Sequence, residues 1–353
     1  MATSDAVWSE QGTTPDAIEA ALRRLLAERH GEDAGFTPAR ALNMIAFVDK
    51  EWSGEIANRL RGVGRYHASR LVVLSYEAGR ERLDARATVA SEGDPRPGEF
   101  TLLRETVVVE IGDRHLDDLL TIVDPLVVSD LPTLLWSPHG HPEAVDALLA
   151  LAQAVLVDSI DEPVWRDALD RASALAEKAY VVDLAWLRST PWRERIAATF
   201  DPPAMRPELG SISAVNIQHH PESTLAAMLL IGWLASRLGW ELSPLVAGKD
   251  GLTGSAHARR QDAALRLEAD TTQEVRGLAG LALQTASGRE LRWDRGPGGL
   301  HAQSRTAAGE ERKWTILGAS RGETGILGEG IRQALLRDST YAPALAAAAR
   351  MVP

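Results

Sequence analysis

Residues 216–240, NIQHHPESTLAAMLLIGWLASRLGW, decide the reading of the second half of the chain. From Leu225 to Ala235 no side chain is charged or hydrogen-bonding except the indole of Trp233. A helix that is apolar nearly all round has to be covered on most sides. Leu225, Met228, Leu229 and Leu234 line one face at helical spacing, and Ile231 and Trp233 widen it. Pro221 suits a first helical position, Glu222 places negative charge at the positive end of the helix dipole, and Gly239 offers a left-handed close. A buried helix over 221–239, at the centre of a core, is the expectation. The run is too short for a membrane span, which needs roughly 18 consecutive apolar residues.

Downstream, residues 263–267, 275–283, 290–293 and 313–317 read as short strands joined by glycine-rich turns, an antiparallel meander packed on that helix. Helices over 328–336 and 342–349 close the chain. Upstream, residues 1–13 read as a loose leader, and Thr14-Pro15-Asp16 starts a helix whose stripe is Ile18, Leu22, Leu25 and Leu26. The apolar runs ALNMIAFV (41–48) and RLVVLS (70–75) flank a polar helical stretch over 51–60, the pattern of a parallel crossover. Residues 84–90 and 101–111 form an expected antiparallel pair on the sheet edge, joined by the loop SEGDPRPGEF (91–100). Alternation continues with helix 116–126, strand 131–136, helix 143–151, strand 154–157, helix 164–180, strand or loop from Val181 to Trp186, and helix 190–200. Asp201-Pro202-Pro203 ends the last of these, and 201–211 is the linker candidate. The fold class is therefore α/β: an N-terminal three-layer domain with a mixed sheet over 14–203, and a C-terminal α+β domain, its antiparallel meander packed on the buried helix, over 211–350.

Composition narrows the function. A length of 353 residues suits two domains, and a net charge of −11 argues against a general nucleic-acid binder. The absence of cysteine removes disulfides, thiol nucleophiles, thiolate zinc sites and direct thiol redox control. MATSDAVWSEQ lacks the basic, apolar character of a signal peptide, so the cytoplasm is the expected location. Ten tryptophans fit a core or a protein interface equally well.

Catalytic machinery is hard to assemble. Residues 318–330, GASRGETGILGEG, contain neither Gly-Lys-Ser/Thr nor the dinucleotide spacing and read as a flexible turn before the last helices. His139 and His141 precede one helix, His219 and His220 with Glu222 precede another, and loop or helix-entry positions explain them better than metal ligation. Ser137 and Ser255 have nearby histidines but no orienting acid. No catalytic residue, metal or cofactor is expected. Lys249 to Arg260 reads as an exposed basic loop. Arg188, Arg193 and Arg195 cluster around Trp186 and Trp192, with Arg206 beyond. They suit a basic, aromatic surface for an anionic ligand or an acidic partner, or else Arg193 and Arg195 lie on the wet face of a helix that buries Trp192 and Ile196.

LPTLLWSPHGHP (131–142), VLVDSID (155–161), VVDLAWLRSTPWRERIAATFDPP (181–203), STLAAMLLIGWLASRLGW (223–240) and GILGEGIRQALLRD (325–338) resemble, in this order, the glucose-6-phosphate dehydrogenase assembly protein family, OpcA. The similarity spans about residues 40–340, and DLAWLRSTPWR is its most specific part. It implies a non-catalytic allosteric activator, with glucose-6-phosphate dehydrogenase as partner at the entry to the oxidative pentose phosphate pathway. Trp186, Arg188, Thr190, Trp192, Arg193 and Arg195 are then the partner-binding candidates, with neither nucleic acid nor membrane as a partner. The resemblance implies thiol redox signals in some relatives, and with no cysteine in this chain such control is absent or indirect here. The alternatives are a sugar-phosphate sensor using Arg188, Arg193 and Arg195, or an enzyme with dispersed residues such as His139, His141 and His219.

Overall fold

A near-continuous apolar strand is what a sheet covered on both faces requires, and such a strand, residues 42–49, is buried along all but its last residue. The computed structural model describes residues 6–32, 40–63, 69–92, 102–249, 251–259, 261–317 and 322–352. Two compact units emerge: residues 1–157, 178–182 and 327–336 form the first, and 158–177, 183–326 and 337–353 the second.

In chain order the first elements are β1 (Ala6–Glu10), α1 (Pro15–Glu32), β2 (Leu42–Asp49), α2 (Lys50–Val63), β3 (Ser69–Tyr76), β4 (Asp84–Glu92), β5 (Leu102–Ile111), α3 (Leu119–Val123), β6 (Thr133–Trp136), α4 (Pro142–Leu148), β7 (Ala154–Val157), α5 (Trp165–Ala176) and β8 (Tyr180–Asp183). The first unit's sheet has the order β1-β4-β5-β3-β2-β6-β7-β8. It is mixed: β2 pairs parallel with β3 and β6, while β4 pairs antiparallel with β5 at the expected edge. Residues 6–10 are not a loose leader, because Ala6 to Glu10 pair antiparallel with β4 and extend that edge. Burial of Ala85, Ala87 and Val89 on alternate β4 positions gives this edge a core face on which α1 packs. Helix 164–180 is shorter than expected, since α5 ends at Ala176 and the chain re-enters the sheet at Tyr180. Most of the loop 91–100 and residues 318–321 of the glycine-rich turn lie outside the described residues.

The chain continues with α6 (Leu184–Arg188), α7 (Thr190–Phe200), α8 (Arg206–Leu209), β9 (Ile212–His219), α9 (Thr224–Leu238), β10 (Glu241–Leu242), β11 (Val246–Gly248), β12 (Gly251–His257), β13 (Ala263–Ala269), β14 (Leu278–Thr285), β15 (Glu290–Gly296), β16 (Gly299–Arg305), β17 (Glu311–Leu317), α10 (Glu323–Leu336) and α11 (Tyr341–Ala349). The second unit's sheet has the order β10-β12-β13-β9-β14-β15-β16-β17, with β11 on β12. It is antiparallel except where β9 pairs parallel with β13, so the meander is interrupted by an inserted central strand. That strand, its alternate residues Val215, Ile217 and His219 buried, begins the very stretch whose helix dominated the sequence reading. Residues 251–257 form β12 in place of the expected loop.

Helix α9 is the centre of this unit. Every residue from Thr224 to Ala235 except Trp233 is buried, and Gly239 closes the helix at φ 69° with its N–H on the Ala235 carbonyl. Each large apolar side chain so placed contributes about 1.5–3 kcal/mol. Helices α6 and α11 and the strands β9 and β13 supply the cover. Gly232 is required: a Cβ there would sit 2.2 Å from the Ala344 carbonyl oxygen of α11.

Candidate functional site

The segment from Asp183 to Arg195 folds around a set of buried charges. Asp183 caps α6, its Oδ1 accepting from Ala185 N at 2.9 Å and from Ser159 N at 3.2 Å, while Tyr341 Oη donates to its Oδ2 at 3.0 Å. Burial pushes its carboxyl above the usual range despite these donors. Ser189 separates α6 from α7, and Pro191 sits in the first turn of α7, where its missing N–H costs nothing.

Two arginines of the block are held by internal carboxylates. Arg188 donates from both terminal nitrogens to Asp158, at 2.8 and 2.7 Å, a bidentate fork. Burial lifts the Asp158 carboxyl to about 6, against the opposing pull of Arg188. The Arg193 guanidinium lies 3.4 Å from the centroid of the Trp186 ring. It also donates to Ser189 Oγ, to Thr190 Oγ1 and to the Trp186 carbonyl, and pairs with Asp338 at 3.6 Å. Burial brings its pKa down to about 10. Asp338 closes the circuit. It accepts from Trp186 Nε1 at 2.9 Å and from Thr340 N and Oγ1. Partial burial would raise its carboxyl, but the Thr340 and Trp186 hydrogen bonds and the charge of Arg193 hold it below the usual range. Tyr341 packs against Trp186, ring centroids 5.6 Å apart.

Of the six candidates, Trp186, Arg188, Trp192 and Arg193 are buried, and Thr190 and Arg195 are half-buried. Arg193 lies neither on an open basic surface nor on the wet face of its helix. Arg195 alone among the three clustered arginines has no carboxylate partner among the described residues, and its shielded Nε has no acceptor. Arg206, outside the cluster, is exposed and caps the Asp201 carbonyl. Sequence reasoning missed the acids Asp158, Asp183 and Asp338. The only signal was that the blocks VLVDSID, VVDLAWLRSTPWR and GILGEGIRQALLRD each carry one of them.

In open α/β sheets, ligands bind outside the carboxyl ends of the strands where the strand order reverses. In the first unit that position lies between β2 and β6. Here β2 runs from Asp49 straight into α2 at Lys50, with no glycine-rich turn to approach a phosphate. At that position stands His141, at φ 56°: its Nε2 is 3.0 Å from Asp49 and its ring packs on Phe47 and Tyr76, at centroid distances of 4.9 and 5.6 Å. Tyr76 donates to Asp113 at 2.5 Å, a bond that lowers the carboxyl's pKa and raises the phenol's. His139 packs at a tilt on Trp52, and His219 is buried with Nδ1 2.8 Å from the His220 carbonyl. Burial depresses the His219 pKa. Among the described residues no three histidine or acidic side chains converge as a metal site.

With this geometry in place, comparison with known families is decisive. Residues 61–176 match the glucose-6-phosphate dehydrogenase subunit N-terminal domain (OpcA assembly type), and residues 179–345 match the corresponding C-terminal domain. The chain belongs to the OpcA family. Its relatives include the OxPP cycle protein OpcA of Synechocystis sp., 32% identical over 123 residues, and that of Synechococcus elongatus, 28% identical over 142. These matches cover 34% and 39% of this chain but only 26% and 32% of the relatives, so the similarity spans about a third or less of their length. Among solved structures, a Klebsiella pneumoniae protein assigned as an oxidoreductase is 14% identical, with a TM-score of 0.49 over 88% of this chain and 90% of that one. Scyllo-inositol dehydrogenase from Lactobacillus casei is 12% identical, with a TM-score of 0.45 over 89% and 96%.

Proposed function

We propose that this OpcA chain is a non-catalytic partner of glucose-6-phosphate dehydrogenase that binds the active, assembled form in preference and so raises its activity. The observation that carries the reading is the pair of consecutive family matches to a dehydrogenase subunit, which together take in most of the chain. The packing of His141 on Asp49 and Phe47 at the strand-order reversal supports it, because it puts a side chain beside the place where such a sheet holds a cofactor. A partner shifts an equilibrium between two forms only by its different affinity for them, so activation requires preferential binding. Among the described residues no helix is long and apolar enough to cross a membrane. The proposed place of action is the cytoplasm, beside the enzyme.

For the contact itself, Trp186, Arg188, Trp192 and Arg193 serve as the rigid base, and Thr190 and Arg195 on α7 meet the dehydrogenase. A buried arginine and tryptophan base pre-organises what it supports, and pre-organisation raises affinity by lowering the ordering cost of binding. The test is binding of purified dehydrogenase to the chain, measured by titration, with Arg195→Glu as the variant. Weaker binding at an unchanged melting temperature is expected. Undiminished binding would remove α7 from the contact, and absence of any complex with the unaltered chain would remove the proposed function.

A further inference from the structure

The sheet of the second unit buries one face. Val215, Ile217, Leu265, Leu267, Leu281 and Leu283 are all on it and all buried. The opposite face is polar, and its side chains stay exposed or half-exposed along β13, β9 and β15. Cα register sets these residues in straight rows across the strands. Arg266, Asn216, Ala282 and Arg292 are successive partners in one row. Two residues along each strand, Glu268, Gln218, Gly280 and Asp294 form the next.

We propose that this face is the contact between two copies of the chain, with the two-fold axis lying between the two rows and parallel to them. An isologous interface sets a surface against itself. Rotation about that axis keeps each strand opposite its own copy and exchanges the rows. Arg266 and Arg292, which pair with Glu268 and Asp294 of their own chain, then also face Glu268 and Asp294 of the second copy, and Asn216 faces Gln218. Ala282 meets Gly280 near the centre, where Gly280 lies beneath the side chains of Gln218 and Asp294. The two rows carry equal numbers of acids and bases in a chain whose net charge is −11. A self-contact tolerates such a patch, whereas one of a single sign would repel its copy. The area is also sufficient. The seven longer strands, from β12 to β17, about 4.8 Å apart and rising about 3.3 Å per residue over some seven residues, present roughly 800 Å², the standard share of one partner in a stable complex.

The proposal is independent of the dehydrogenase and is tested without it, by sedimentation velocity of the full chain over a concentration series. A reversible dimer is expected. Arg292→Asp sets like charges together twice by symmetry and should raise the dimer dissociation constant roughly a hundredfold. Both positions are solvent-accessible, and an unchanged circular dichroism melt checks that the fold survives. Arg292→Asp combined with Asp294→Arg restores opposite charges across the axis and should restore the dimer. A monomer at every concentration would overturn the proposal, as would a dimer insensitive to Arg292→Asp. Failure of the double variant to recover would overturn the row-to-row register.

Discussion

One methyl group should have opposite effects in two helices of this chain. Gly232 lies within α9 where α11 crosses it, and a Cβ there would come to 2.2 Å from the Ala344 carbonyl oxygen and 3.0 Å from Ala348 N. Ordinary contact begins near 3.4 Å, so Gly232→Ala requires the helices to part by about 1.2 Å, the difference between 3.4 and 2.2 Å. Both obstructing atoms belong to backbone and cannot rotate aside. Overpacking of this kind costs about 1–3 kcal/mol, and the upper end is expected because the gap opens along a wholly apolar seam. Gly54 in α2 is the control, with nothing within 4 Å of its Cβ position. There Gly54→Ala gains helix propensity of about 0.5–1 kcal/mol. Thermal unfolding followed by calorimetry reads both. At about 2–4 °C per kcal/mol for domains of 150–250 residues, the first variant should lose about 6–12 °C and the second should gain about 1–4 °C. A neutral Gly232→Ala would show that α9 and α11 are not in this close contact, and the core would have to be redrawn.

Removing Arg188 should leave a pH signature. Asp158 has a folded pKa of about 6, above its ordinary 3.8, so ionising it weakens the fold as pH rises from about 4 to 6, after which the effect is complete. In Arg188→Ala the folded pKa rises further, because the favourable cation is gone. The stability deficit of the variant should be constant below about pH 6 and widen above it by up to about 1.4 kcal/mol per pH unit. Denaturant titrations at pH 5, 6 and 7 would show this, and a deficit that narrows with rising pH would contradict the burial of the pair. Trp186→Phe keeps an aromatic face under Arg193 but deletes the indole donor to Asp338. A loss of about 1–3 kcal/mol is expected from the same titrations, and no loss would mean that Asp338 is satisfied without it.

The parts legible in the sequence were those set by local pattern. The apolar run of α9 and its Gly239 close, the strand-helix-strand of β2, α2 and β3, and the antiparallel edge of β4 and β5 all follow from periodicity and turn chemistry. Strand β1 did not, because Ala6 to Glu10 alternate only weakly and gain their place from pairing with β4, more than 70 residues away. β9 was obscured because its polar members, Asn216 and Gln218, lie on the open face, and because its partner β13 lies beyond the whole of α9. The candidate site shows the same limit. The arginines and tryptophans were visible as a cluster, but Asp158 and Asp338 lie 30 and 145 residues from Arg188 and Arg193 in sequence. Charged residues counted along one helix could not reveal that folding would bury them as pairs.

The most direct test of the account's central claim is to add the purified chain, at saturating concentration, to purified glucose-6-phosphate dehydrogenase. Initial rate and assembly mass are then read on the same sample. A higher rate together with a shift of the enzyme towards its assembled form, and no turnover by the chain alone, is expected. An unchanged rate and mass, or conversion of substrate by a preparation free of the dehydrogenase, would contradict it.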